Sequence, residues 1–200
     1  MAGDTAIIFR SGEPGDAGGP GPAPVRTGPD GAATHILTAP TPAAAAVLAA
    51  EYADRGVTTV ELCGATGYPW VAEVEAAVRG RARVGTVLYG FESLIGIARY
   101  KERATAGEAQ RALFVHVQPG ADPATDRFVR TEGAGSSTFV AVPEAAAGAA
   151  VAAEFAASVQ LIELYGGWGP ESVAAVIRAV DERVPVGVAV HTAPPPVSTG

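Results

Sequence analysis

The chain has 200 residues, 48% of them apolar and only 18% charged, with 14 basic against 21 acidic side chains for a formal net charge of −7. With a mean hydropathy of +0.22, this is enough apolar material for a substantial core, which excludes a disordered or fibrous chain, and too little charge for a long solvated coiled coil. The acidic balance offers a phosphate backbone no electrostatic footprint, so no nucleic acid is expected as a partner.

Taken in chain order, Ala6–Phe9 reads as a short apolar strand, Pro14 to Gly31 as a Pro/Gly-rich loop and His35–Thr38 as a second strand. Thr41-Pro42 opens an alanine-rich helix, with threonine as N-cap and proline at the first helical position, and Gly56 closes it. Thr59–Cys63 is a β-branched strand, Trp70–Val78 a helix, Val84–Tyr89 a buried strand, and Ser93 to Gln110 a partly helical polar connector. Then come strands at Leu113–Val117 and Thr138–Val142, a helix from Glu144 to about Ala156, a strand at Gln160–Leu164, a helix at Glu171–Val180 and a strand at Val186–His191. Strands joined through single helices pair in parallel by right-handed crossovers, so the expected class is α/β, layered or partly barrel-like.

The second series of elements repeats the first. Glu61-Leu62-Cys63-Gly64-Ala65-Thr66-Gly67 recurs 102 residues later (163 − 61) as Glu163-Leu164-Tyr165-Gly166-Gly167-Trp168-Gly169. The same offset carries Val84-Gly85 onto Val186-Gly187, while upstream Glu51-Tyr52 matches Glu154-Phe155 and Val25-Arg26-Thr27 matches Val129-Arg130-Thr131 with small drifts. Ordered Glu-Leu-x-Gly and Val-Gly matches mark a duplication rather than alanine-rich coincidence. The expected organisation is a first repeat at 1–92, a connector at 93–110 and a second repeat at 111–200. The two repeats, each of about four mostly parallel strands and two helices, are expected to be related by a pseudo-twofold axis and packed as one pseudo-dimeric unit.

The run Ala112-Leu113-Phe114-Val115, then Pro119-Gly120-Ala121-Asp122-Pro123, then Ile162-Glu163-Leu164-Tyr165-Gly166-Gly167-Trp168-Gly169 and Val184-Pro185-Val186-Gly187-Val188 resembles a family of short bacterial single-repeat proteins of unknown function. That family's usual motif reads Ile-Glu-Leu-Cys-Gly-Gly-Phe-Gly. The resemblance covers the second half and, from His35 to Tyr89, the first; it implies a tandem fusion of two units that single-repeat relatives would pair as homodimers. The chain departs from the pattern in carrying the motif cysteine only as Cys63, with Tyr165 in the other half, and in having a Pro/Gly tract near Pro14 instead of the Pro-Gly-Ala-Asp-Pro loop. A monomeric pseudo-dimer or a homodimer is therefore expected.

A lone Cys63 forms no internal disulfide, and Met-Ala-Gly-Asp lacks the basic and apolar regions of a signal peptide, so a cytoplasmic location is expected. Ala141 to Ala153 is too short and too interrupted to span a bilayer. His35, His116 and His191 show no paired ligand spacing, which argues against a metal, and the glycine motifs match neither a P-loop nor a dinucleotide fingerprint, so no cofactor is expected.

Ligands of parallel α/β sheets gather beyond the carboxyl ends of strands. That rule selects Arg10 and His116 after the first strands, the turns at Cys63–Gly67 and Tyr165–Gly169, and Tyr89 and His191 at the last strands. Glu61 and Glu163 are the same position in both repeats, inside apolar strands, where a carboxylate serves either acid–base work or a structural pairing with an arginine such as Arg26 or Arg130. Cys63 is either a nucleophile at a helix N-terminus or a small buried hydrophobe. His35 reads as a structural histidine. The second half has His116 and His191 where the first has Arg10, near His116, and Tyr89, which as a merely packing ring should tolerate phenylalanine. The candidate catalytic set is thus His191, His116, Tyr165, Glu163, Cys63 and Glu61. Tyr89, Arg10, Gly64, Gly67, Gly166, Gly167, Trp168 and Trp70 are candidates for substrate binding, the glycine turns as oxyanion or carboxylate receivers and the rings as pocket walls.

The set points to a small cofactor-independent enzyme of lyase, isomerase or cyclase type acting on a small organic substrate, and the Ala-, Gly-, Pro- and Arg-rich composition suggests a high-GC bacterium and specialised biosynthesis. The alternative is a non-catalytic small-molecule-binding or scaffold module whose glycine turns are purely structural.

Overall fold

The structure, a computed structural model, describes residues 3–10, 26 and 27, 31–132 and 134–192. In order these form β1 (Asp4–Arg10), β2 (Arg26–Thr27), β3 (Ala33–Ala39), α1 (Pro42–Asp54), β4 (Val57–Leu62), α2 (Tyr68–Val78), β5 (Arg83–Tyr89) and α3 (Leu94–Thr105). They continue with β6 (Arg111–Val117), β7 (Arg127–Glu132), β8 (Gly135–Val142), α4 (Gly148–Phe155), β9 (Leu161–Tyr165), α5 (Pro170–Val180) and β10 (Val186–His191). Most of the expected Pro14–Gly31 loop lies outside the described residues. The chain divides into two compact units, Met1–Thr86 with Val190–Gly200 and Val87–Ala189.

In the first unit the strands lie in the order β2-β3-β1-β4-β5. All pairs are parallel except β2, which runs antiparallel to β3. Helix α1 starts where the Thr41 hydroxyl accepts the Ala44 N–H at 3.2 Å and Pro42 takes a position that needs no donor. It stops at Gly56, whose φ of +102° an L side chain would oppose. Both helices cover one face, where Ala6, Ile8, Leu37, Val60, Leu62 and Val84 meet Ala45, Ala49, Trp70 and Val74. The alanine face of α1 suits close approach to the strands. Alternation sends Ile7, Phe9, Ile36, Glu61 and Cys63 to the other face, and these are buried too.

The second unit places its strands in the order β10-β9-β6-β8-β7. Here β10, β9, β6 and β8 are parallel and β7 returns antiparallel on β8. Helices α4 and α5 cover the face of Leu113, Val115, Val140, Ile162, Leu164 and Val186. Strand β7 has no counterpart among the strands expected from the sequence. Its ring Phe128 stacks on Phe139 of β8 at 4.6 Å. The matched Arg26-Thr27 and Arg130-Thr131 both fall in such antiparallel edge strands.

The unit boundaries fall inside β5 and β10 and so differ from sequence boundaries at 92 and 110. Tyr89, from the first repeat, belongs with the strands of the second, and His191, from the second, belongs with those of the first. This exchange sets a ring from the end of each repeat beside a glutamate of the other.

Candidate functional site

Strands β4 and β9 each carry one glutamate on the face away from the helices. Glu61 stands in register between Ile7 of β1 and Gly85 of β5. Glu163 stands likewise between Phe114 of β6 and Gly187 of β10. Both are buried, Glu61 completely. A carboxylate withdrawn from water needs hydrogen bonds or an opposite charge to offset its lost hydration.

The two offsets differ. Glu163 accepts a hydrogen bond from the Tyr89 hydroxyl on Oε1 at 2.5 Å and another from the Tyr165 hydroxyl on Oε2. The phenol of Tyr89 therefore does more than pack, which corrects the expectation that only its ring matters. Glu61 instead faces His191, with Nε2 and Oε1 3.2 Å apart, an ion-pair distance without the alignment of a hydrogen bond. The His191 side chain keeps 19% of its surface exposed whereas Glu61 keeps none. The His191 side chain is thus part-exposed, while the Nε2 that faces the carboxylate is itself buried.

Two residues beyond each glutamate, on the same face, come Cys63 and Tyr165. The Cys63 thiol accepts the Arg10 N–H at 3.4 Å, and its carbonyl receives the Thr66 hydroxyl at 2.6 Å. Tyr165 is completely buried, with Phe114 edge-on to its ring. His116 of β6 is buried beside it, in register with Tyr165 and Ala141. Since β1 pairs Ile7 with Glu61 and β6 pairs Phe114 with Glu163, the position equivalent to His116 is Phe9. Arg10, taken from sequence as the residue nearest in place to His116, lies one residue further on and is exposed.

The remaining candidates have packing to do. Trp70 is buried in the helix-side core of the first unit. Trp168 donates its indole N–H to the Tyr165 carbonyl at 2.7 Å and lies so close to α4 that a Cβ on Gly148 would be 2.1 Å from its ring. Gly67, Gly166 and Gly167 have φ of +74°, +87° and +87°. Gly166 also brings the turn against the Val117 backbone, where a Cβ would sit 3.1 Å from its nitrogen. Gly64 lies in the turn after β4. His35 is on the helix side, 3.8 Å from Asp4 and edge-on to Tyr52.

Sequence reasoning did not single out Gly85 and Gly187, nor the exchange of Tyr89 and His191 between repeats. The recurrence of Val-Gly was the available signal for the glycines. Among the described residues, no three His, Cys, Asp or Glu side chains come together as a metal site would need. No described helix is long and apolar enough to cross a membrane.

A family of unknown function (DUF6506) matches residues 23–102 and again residues 110–197. No curated protein matches the chain. Among solved structures, a carbohydrate transporter from Acidothermus cellulolyticus 11B in complex with myo-inositol is 14% identical with a TM-score of 0.31, over 94% of this chain and 74% of that one. An unliganded arylmalonate decarboxylase is 13% identical with a TM-score of 0.30, over 94% of this chain and 87% of its own. At TM-scores this low neither likeness assigns anything to the chain.

Proposed function

From the premise that this chain belongs to the DUF6506 family and carries the family's unit twice, we propose that it is a small cofactor-independent enzyme of lyase, isomerase or cyclase type in which His191 and Glu61 form the acid–base pair. The observation that carries this reading is the partly exposed His191 imidazole backed at 3.2 Å by a completely buried carboxylate. Imidazole is the side chain whose ordinary titration range brackets neutrality, so it both takes and returns a proton there. A carboxylate behind it orients the ring and stabilises the imidazolium that forms when a substrate C–H or O–H gives up its proton. Glu61 is the positioning partner and His191 the group that meets a small organic substrate. Glu163, whose two oxygens each receive a phenol, is read as a brace.

A second reading has one observation in its favour. The glutamate–ring contact occurs in both repeats, once with imidazole and once with phenol. In a small-molecule-binding or scaffold module both contacts would be braces.

The test is proton exchange. The protein is incubated in D2O with a panel of small carboxylic and keto acids, and loss of substrate C–H signals is followed by NMR. Exchange or turnover by the native protein that disappears in His191→Ala, with unchanged circular dichroism, supports the enzyme. Binding of a panel member without any exchange favours the module.

A further inference from the structure

We propose that Gly85 and Gly187 are positioning residues, each the gap in its strand over which a ring from the other repeat's last strand reaches the neighbouring glutamate. The two glycines are the same position of the duplication, and each is the register partner of the glutamate concerned, Gly85 of Glu61 and Gly187 of Glu163. Neither has a positive φ, so backbone conformation does not call for glycine at either place. Each instead sits inside a strand between residues that favour strands, Val84 and Thr86 in one case and Val186 and Val188 in the other. Glycine there weakens a strand and marks close approach by something else.

That something is the ring. A Cβ on Gly85 would lie 2.9 Å from His191 Cδ2 and 3.3 Å from its Nε2, with the Val190 carbonyl oxygen at 3.0 Å. A Cβ on Gly187 would lie 2.7 Å from Tyr89 Cε1 and 2.9 Å from its Cζ, with Val87 Cγ1 at 2.5 Å. One methyl group at either site thus occupies the space through which the ring meets its carboxylate. The contact exchange between repeats depends on the missing side chains, and the two sites are set independently of each other. This geometry stands whether or not the protein turns over a substrate; only its effect on rate rests on the acid–base reading.

The test uses the full chain with 15N-labelled histidine. In Gly85→Ala the ring-nitrogen signals of His191 should move to where Glu61→Gln puts them, while Gly187→Ala leaves them in place. Melting temperatures of Gly85→Ala, His191→Ala and the double variant close a double-mutant cycle, in which the alanine at 85 should cost markedly less once the ring is gone. If Gly85→Ala fails to fold, recovery of folding in the double variant carries the same information. Additive losses, a double variant that also fails to fold, or His191 signals unchanged in Gly85→Ala would each overturn the proposal. Where turnover is measurable, Gly85→Ala should lower it about 10- to 100-fold, the scale of an ångström-level misplacement. Failure of that last effect alone, with the NMR and stability results as expected, would count against the acid–base reading and leave the positioning role in place.

Discussion

Glu61 and Glu163 occupy one position of one repeated backbone, yet their surroundings ask different things of them. Around Glu163, Tyr89 and Tyr165 supply a hydroxyl to each carboxylate oxygen, so the charge is satisfied from both sides. Around Glu61 the shorter Cys63 replaces Tyr165 and the partly exposed His191 replaces Tyr89. The backbone thus delivers a buried carboxylate twice, and two side-chain differences decide whether it is closed off or linked to a group that can reach outward. Two identical copies in a symmetric dimer would have to keep both sites alike. A fused pair is free to let them diverge.

The largest effect should come from the side that reaches outward. His191→Ala is expected to lower proton exchange or turnover by about 10²- to 10⁴-fold, the range for loss of a general acid–base group, and to lower the melting temperature as well, because the completely buried Glu61 loses the ring that faces it at 3.2 Å; the rate is therefore compared at a temperature where both proteins are folded. Full activity in the His116→Ala/His191→Ala double variant would end the acid–base assignment. Next in size is the closed side. Tyr165→Phe removes one of the two hydroxyl donors and leaves a buried carboxylate oxygen short of a hydrogen bond, at about 1–3 kcal/mol, read from denaturant unfolding. Tyr89→Phe should be destabilising too. Native stability in both would mean that Glu163 takes its support elsewhere and that the two sites differ less than these contacts indicate. Cys63→Ser should leave most activity; a dead variant of normal stability would move the chemistry from the imidazole to the thiol.

Much of this architecture is legible in the residues. Thr41-Pro42 and Gly56 delimit α1 because a hydroxyl cap, a missing donor and a positive φ are local requirements. The Glu-Leu-x-Gly recurrence locates both carboxylates because a charge inside an apolar strand has to be accounted for. Less legible was β7, whose alternating Arg-Phe-Val-Arg-Thr-Glu is short and acquires meaning only when Phe128 meets Phe139. Which ring faces which glutamate was not legible at all, since it depends on where the ends of β5 and β10 run, a long-range matter that periodicity does not encode. The equivalence of His116 with Phe9 rather than with a residue at Arg10 likewise needs strand register, where a slip of one residue exchanges the faces.

The smallest effect tests whether the contrast extends to the surface of the repeats. Glu51-Tyr52 and Glu154-Phe155 are matched helix positions, and in each case an arginine pairs with the glutamate and lies over the ring, at 5.2 Å for Arg55 over Tyr52 and 5.5 Å for Arg127 over Phe155. Arg55 follows α1 within a turn and holds nothing distant. Arg127 comes from β7 and grips both oxygens of Glu154 at 2.6 and 3.3 Å, tying the edge strand to α4. The Arg127 hydrogen bond holds the Glu154 carboxyl below its ordinary range against a smaller opposing effect of burial. A carboxyl depressed in the folded state contributes stability that is present above its unfolded value, about 4.3, and that disappears as pH falls through the folded one. Glu154→Gln should therefore flatten the acid limb of unfolding free energy against pH, by less than about 1 kcal/mol because the pair is solvent-exposed. An acid limb that Glu154→Gln leaves untouched would mean that the Phe128–Phe139 stack and the β7–β8 ladder hold the edge strand without the ion pair.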